Sequence, residues 1–140
     1  MTVYSLINKI EATHKLFIRV YIEDTDAGGI VFYANYLKFF ERARTEYYRA
    51  RGFELRRGLD DNINYVVHSL TIQYKKPARL DDKIAVTAEV IKVGKTYLLF
   101  KQRVLNARNE VLVEADVKIA CLYFNTSKPQ RLPSALLASL

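Results

Sequence analysis

An α+β domain, with one antiparallel sheet wrapped around a single long helix, follows from three features of the sequence. A segment that alternates apolar and polar residues precedes a pair of glycines, a helical apolar stripe follows them, and long alternating segments fill the rest of the chain. Too few helical segments remain for a doubly wound fold. With 140 residues, 50% of them apolar, and no polar linker, the chain has the make-up of one domain over residues 1–140. Residues 1–14 read as a leader segment and 125–140 as a C-terminal tail.

The first strand spans Leu16 to Asp24, with Leu16, Ile18, Val20 and Ile22 on one face and Phe17, Arg19, Tyr21 and Glu23 on the other. After Gly28 and Gly29, apolar residues at Tyr36, Phe40, Ala43, Tyr47 and Ala50 recur in steps of four and three, which only a helix brings to one side. Leu37, Phe39 and Tyr48 widen that stripe, so the helix is expected to be central and deeply buried, and Gly52 is a natural stop. Strands are then expected over Ile63 to Lys76, Asp82 to Val93 and Tyr97 to Leu105, in a meander. Asn106 to Asn109 makes a turn into a last strand whose Val111, Val113, Ala115, Val117, Ile119, Cys121 and Tyr123 share one face. One helix cannot cover such a sheet, so self-association into a dimer or tetramer is expected.

Several function classes drop out on composition. No run of apolar residues approaches the roughly 18–20 that a membrane-spanning helix needs, and Met1 to Lys15 lack the order of a secretory signal, so a cytoplasmic location without integral membrane association is expected. A single cysteine, Cys121, and two histidines, His14 and His68, supply neither a disulfide nor a zinc cage, and no metal site is expected. The 22 Lys+Arg against 15 Asp+Glu give a formal +7, which favours an anionic partner. The basic residues are spread without a nucleic-acid-binding signature, so a small phosphorylated ligand is the better fit and no nucleic acid is expected. Cys121 reads as a small core residue and His68 as a core or interface residue, while Glu41 and Arg44, three apart on the helix, read as an ion pair.

The chemistry concentrates at the strand-to-helix junction, Glu23-Asp24-Thr25-Asp26-Ala27-Gly28-Gly29-Ile30-Val31-Phe32-Tyr33-Ala34-Asn35-Tyr36. Three carboxylates fall within four residues, two glycines allow a sharp turn or close approach to a ligand, and a helix start then offers free N–H groups. This arrangement suits a carboxylate beside an oxyanion site. Asp and Thr before a helix are also ordinary caps, and on the residues alone both readings stand.

The run from Val20 to Arg49 resembles the signature of the hotdog-fold acyl-CoA thioesterases of the 4-hydroxybenzoyl-CoA thioesterase family, closest to the branch encoded with the Tol-Pal envelope system. Tyr74 to Asp82 and the final alternating strand fit as well, so the likeness covers about Leu16 to Tyr123. It implies a hydrolase that cleaves acyl-CoA to free acid and coenzyme A, working as a homo-oligomer such as a homotetramer, without a cofactor beyond the coenzyme A of its substrate. Asp26 is then the catalytic carboxylate, as nucleophile or general base, and the backbone N–H of Tyr33 the oxyanion donor. Tyr33 stands where many Tol-Pal-type relatives carry histidine, so its side chain is either a water-orienting hydroxyl or a packed aromatic. Gly29, Asn35, Tyr36 and Lys95 are the expected substrate-binding residues, with Asn35 also a candidate helix cap and Arg79 and Lys92 further candidates for the phosphates. Two ionised carboxylates at one site would repel, so Asp24 is assigned to local hydrogen bonding. Tyr36, Phe40 and Leu70 are expected to line the acyl pocket. The rival reading is a hotdog module that binds acyl-CoA or acyl carrier protein without cleaving it, and acyl carrier protein is also a possible partner of the enzyme.

Overall fold

The computed structural model describes residues 13–140. Strand β1 (His14–Arg19) is followed by a 3-10 turn (Ile22–Asp24), helix α1 (Asn35–Ala50) and a short helix α2 (Leu55–Asp60). Strands β2 (Ile63–Tyr74), β3 (Lys83–Val93), β4 (Tyr97–Leu105) and β5 (Val111–Tyr123) complete one antiparallel sheet, and helix α3 (Ser134–Ser139) ends the chain.

The sheet has five strands in the order β1-β3-β4-β5-β2. The expected meander holds for β3, β4 and β5, but β2 crosses to the far edge and pairs with β5. Alternation assigns a strand its buried face and leaves its partner open, which is why the order was not readable. The sheet curls around α1, whose Tyr36, Phe39, Phe40, Ala43, Tyr47 and Tyr48 are buried. They meet Leu98, Phe100 and Val104 of β4 and the inner face of β5 in one core.

Three local readings need correction. The first strand ends at Arg19, and the 3-10 turn leaves Ile22 76% exposed rather than in the core. His68 is exposed beside a bulge between Val67 and Ser69, so it is no core residue; a bulge breaks the two-residue arithmetic that placed it. The 125–140 segment packs onto the domain: Leu132 and Leu136 are buried, and Leu132 N–H donates to the Lys95 carbonyl at 3.0 Å. Most of the expected leader lies outside the described residues, and His14 opens β1. No helix among the described residues is long and apolar enough to cross a membrane.

Candidate active site

The chain leaves β1 into a tight hairpin. Thr25 bridges Val31, Asp26 N–H donates to the Ile30 carbonyl at 2.9 Å, and Gly29 N–H closes the turn on the Asp26 carbonyl at 3.1 Å. Gly29 has φ +74°, a conformation that side chains disfavour. The hairpin is fastened to the segment before β3, because Val31 N–H donates to Ala78 O at 2.9 Å and Leu80 N–H to Gly29 O at 3.0 Å.

Asp26 is held at the exposed tip of this hairpin. Its Oδ1 accepts the Gly28 N–H at 2.8 Å, which fixes the carboxylate, and its Oδ2 has no hydrogen bond among the described residues. One oxygen is positioned while the other is presented. Asp24 plays the local part expected of it: its carboxylate accepts the Tyr21 N–H at 2.9 Å, and its carbonyl accepts the Phe32 N–H at 3.0 Å and the Asn35 side-chain amide at 2.8 Å. Asn35 is therefore no cap. It is the first residue of α1, behind Ala34, and its amide ties the helix start to the loop.

Tyr33 is 64% exposed, and its carbonyl accepts the Tyr74 hydroxyl at 3.0 Å. Its own N–H and that of Ala34 have no backbone partner among the described residues. Ala34 is the N-cap of α1, whose N–H a helix start leaves without a partner, and Tyr33 immediately precedes it. Tyr36 is buried, and its hydroxyl accepts the Ala78 N–H at 3.0 Å. Burial raises the Tyr36 hydroxyl above the ordinary tyrosine pKa. A cavity of about 260 Å³ opens between Ile30, Tyr33, Tyr36, Tyr74 and Pro77, and Lys75 and Lys76 also line it. The site thus combines a fixed carboxylate, free amide N–H groups and an apolar recess at one end of the sheet.

The sequence pattern of the thioesterase superfamily matches residues 28–113, more than half the chain. The chain belongs to the thioesterase superfamily. The acyl-CoA thioester hydrolase YbgC of Escherichia coli O6:H1 is 42% identical over 121 residues, which cover 86% of this chain and 90% of that protein. The acyl-CoA thioesterase YbgC of Haemophilus influenzae is 44% identical over 124 residues, 87% of this chain and 90% of its own. A solved probable thioesterase from Bartonella henselae superposes with a TM-score of 0.81 at 34% identity, covering 87% of this chain and all of that one. The expected hotdog fold and thioesterase family are both borne out.

Not every expected contact comes together in this thioesterase. Lys95 lies in the β3–β4 turn, whereas the hairpin sits beside Lys83 at the other end of β3. At about 3.3 Å per residue the strand separates them by roughly 30 Å within one chain. Lys92 stands near that distant turn, and its Nζ lies 6.0 Å from the Tyr97 ring centroid. Arg79 does share the end with Asp26, bridged to Ile30. Phe40 is buried in the core, so it supports the recess from behind rather than lining it. Tyr74 was missed as a site residue, although its place before Lys75 and Lys76 at the end of a strand was a usable signal. Cys121 is buried and its thiol is pushed up to about 11 by that burial, which removes it as a nucleophile. Arg44 and Glu41 pair at 3.3 Å as expected.

Proposed function

We propose that the chain hydrolyses acyl-CoA thioesters to the free acid and coenzyme A, with Asp26 as the reacting carboxylate. The observation that carries this reading is the Asp26 side chain itself, anchored through Oδ1 to Gly28 and open at Oδ2, on the hairpin that leads to the free N–H groups of Tyr33 and Ala34. The acyl-CoA substrate is supported by the relatives of E. coli and H. influenzae, whose names specify it and whose sequences align over most of both chains.

The geometry supports the following sequence. The thioester carbonyl oxygen takes the Tyr33 N–H, which stabilises the charge it gains as the carbon becomes tetrahedral. Either Asp26 Oδ2 attacks that carbon, expels the thiolate and forms a mixed anhydride that water then hydrolyses, or Oδ2 takes a proton from a water that attacks directly. In both routes the C–S bond breaks, the sulfur leaves as thiolate and is protonated to coenzyme A. Label found in the Asp26 carboxylate after a single turnover in heavy-oxygen water establishes the anhydride route with water attacking Asp26 Cγ, because direct attack of water on the thioester puts the label in the product acid alone.

The reading extends to assembly. β2 is an open edge strand with apolar residues on its surface, and a homo-oligomer is expected to close it. Sedimentation of the purified protein checks this, and a monomer at all concentrations rejects it. The activity is tested by free-thiol release from short, long and aromatic acyl-CoAs with wild type and Asp26→Asn. Turnover by the wild type and a loss of several orders of magnitude in the variant support the assignment. Equal cleavage by both removes Asp26 from the reaction, and no cleavage by either moves the protein to a binding role.

A further inference from the structure

The recess at the candidate active site ends where two rings meet. Its wall from α1 stops at Tyr36 and its wall from β2 stops at Tyr74. Phe40, one turn further along α1, and Ile72 and Leu70, further back along β2, do not line it. Yet Ile72 and Tyr74 stand opposite Ala115 and Val113 of β5, both buried in the core, so the row of β2 residues facing inward continues past the recess. What interrupts it is the contact of Tyr36 with Tyr74, ring centroids 5.7 Å apart and planes at 55°, which spans the gap between helix and strand.

Both rings are tethered. The Tyr36 hydroxyl accepts the Ala78 N–H at 3.0 Å, and its ring meets Phe39 edge to face at 6.1 Å inside the core. The Tyr74 hydroxyl donates to the Tyr33 carbonyl at 3.0 Å, and the Tyr33 ring packs edge to face against it at 6.3 Å. Displacing either ring therefore loses a hydrogen bond together with ring contacts. Farther along, Tyr48 and Tyr65 stack with centroids 5.0 Å apart and bar the space between α1 and β2 a second time. A second copy seated on β2 covers that space from outside, and the ring pairs block it from within.

Ile30, whose carbonyl accepts the Asp26 N–H at 2.9 Å, lines the recess, so a thioester held at the Tyr33 N–H has its acyl group directed there. We propose that the Tyr36–Tyr74 pair is a stop for the acyl chain and restricts the substrates to acyl groups of up to about eight carbons. The proposal rests on the hydrolytic reading for its thioester end. The ceiling follows from volume, because about 260 Å³ holds about eight methylene-sized groups at about 30 Å³ each. Ile30, Val31, Pro77 and the tyrosine rings make the wall largely apolar, so each methylene that enters adds about fourfold to binding. Carbons beyond the ceiling meet the rings, and making room for them costs their packing and their tethers. Chain length is rewarded up to the stop and penalised past it.

The test is a chain-length series of butanoyl-, octanoyl- and dodecanoyl-CoA, each below its micelle concentration, read as kcat/KM by free-thiol release. For the wild type, kcat/KM is expected to rise from butanoyl to octanoyl and to fall by about tenfold or more at dodecanoyl. Tyr74→Leu removes one ring of the stop and raises the dodecanoyl-to-octanoyl ratio by about tenfold. Tyr74→Phe keeps the ring, so it slows all three thioesters and leaves that ratio close to the wild type's. Tyr74 is half-exposed, which favours folding of the leucine variant. Tyr74→Trp, which thickens the stop and lowers octanoyl relative to butanoyl, decides the same point if that variant fails to fold. A wild-type profile that is flat or climbs through dodecanoyl, or ratios that Tyr74→Leu and Tyr74→Trp leave unmoved, overturns the stop. Titration of the series into Asp26→Asn separates this inference from the hydrolytic reading. Binding that tightens to octanoyl and weakens at dodecanoyl, without turnover by the wild type, keeps the stop and rejects the hydrolysis, whereas equal cleavage of all three by the wild type keeps the hydrolysis and rejects the stop.

Discussion

Gly28 and Gly29 do different things for the same carboxylate. A Cβ added at Gly28 would lie 3.3 Å from Asp26 Oδ1, against the atom that its own N–H anchors at 2.8 Å. Gly28→Ala is therefore expected to push the carboxylate off its anchor and lower kcat by about tenfold, the scale at which small displacements of reacting groups are felt. Its unfolding temperature should stay close to wild type, and thermal denaturation beside steady-state kinetics checks both halves. At Gly29 a Cβ meets nothing within 4 Å, but φ is +74°. Gly29→Ala should cost about 1–2 kcal/mol in urea unfolding from the left-handed backbone alone. Tyr74→Phe removes one hydroxyl, the donor to the Tyr33 carbonyl. With the peptide after Tyr33 less firmly held, kcat is expected to fall several-fold at nearly constant KM, and a rise in KM alone would count against its part in positioning the turn. Of these residues the sequence showed the two glycines beside a cluster of carboxylates, and it was the family resemblance that singled out Asp26 among them. The sequence concealed the Asn35 amide and the Tyr74 hydroxyl, because both bond backbone atoms that only folding brings near.

Helix α1 was legible almost to the residue, since its apolar spacing is dense and Gly52 stops it. What fastens it was not. Gln102 is fully buried on β4, accepting from Arg44 and donating to the Phe40 carbonyl at 3.0 Å and the Thr87 carbonyl at 3.1 Å, so one side chain joins α1 to β3 and β4. A polar residue at an inward position between Phe100 and Val104 was the available signal, and only its partners were missing. Gln102→Leu leaves two buried carbonyls without this donor and Arg44 without its best acceptor. Each such loss costs about 1–3 kcal/mol, so the variant should lose about 2–4 kcal/mol in urea denaturation. A loss below about 1 kcal/mol would mean that water replaces the amide. The short helices α2 and α3 escaped the sequence reading for another reason: six residues each are too few for a helical period to show.

Across the molecule the inner face of the sheet carries the apolar core and the outer face carries charge. Glu114 on β5 sits among Lys101 at 2.7 Å and Arg103 at 3.5 Å, both on β4, and Lys75 at 3.2 Å, just past the end of β2, so two strands and the segment after a third contribute to one ion cluster. Lys101 also reaches Asp116 at 3.3 Å. Hydrogen bonds from Lys101 and then Lys75 hold the Glu114 carboxyl down to about 2, from an ordinary 4.5. In the unfolded chain the carboxyl returns to its ordinary range, so folding binds fewer protons and stability rises with pH through the interval between the two values. The contribution is fully present above about 4.5 and is lost as pH falls towards about 2. Glu114→Gln should accordingly be less stable than wild type at neutral pH by about 1 kcal/mol, the scale of a partly solvated ion network. That gap should close as the pH is lowered to about 2, and added salt should narrow it at neutral pH. Urea denaturation of both proteins across that range decides the matter, and a gap that stays constant down to the acid end would show that the cluster's charge does not contribute to stability.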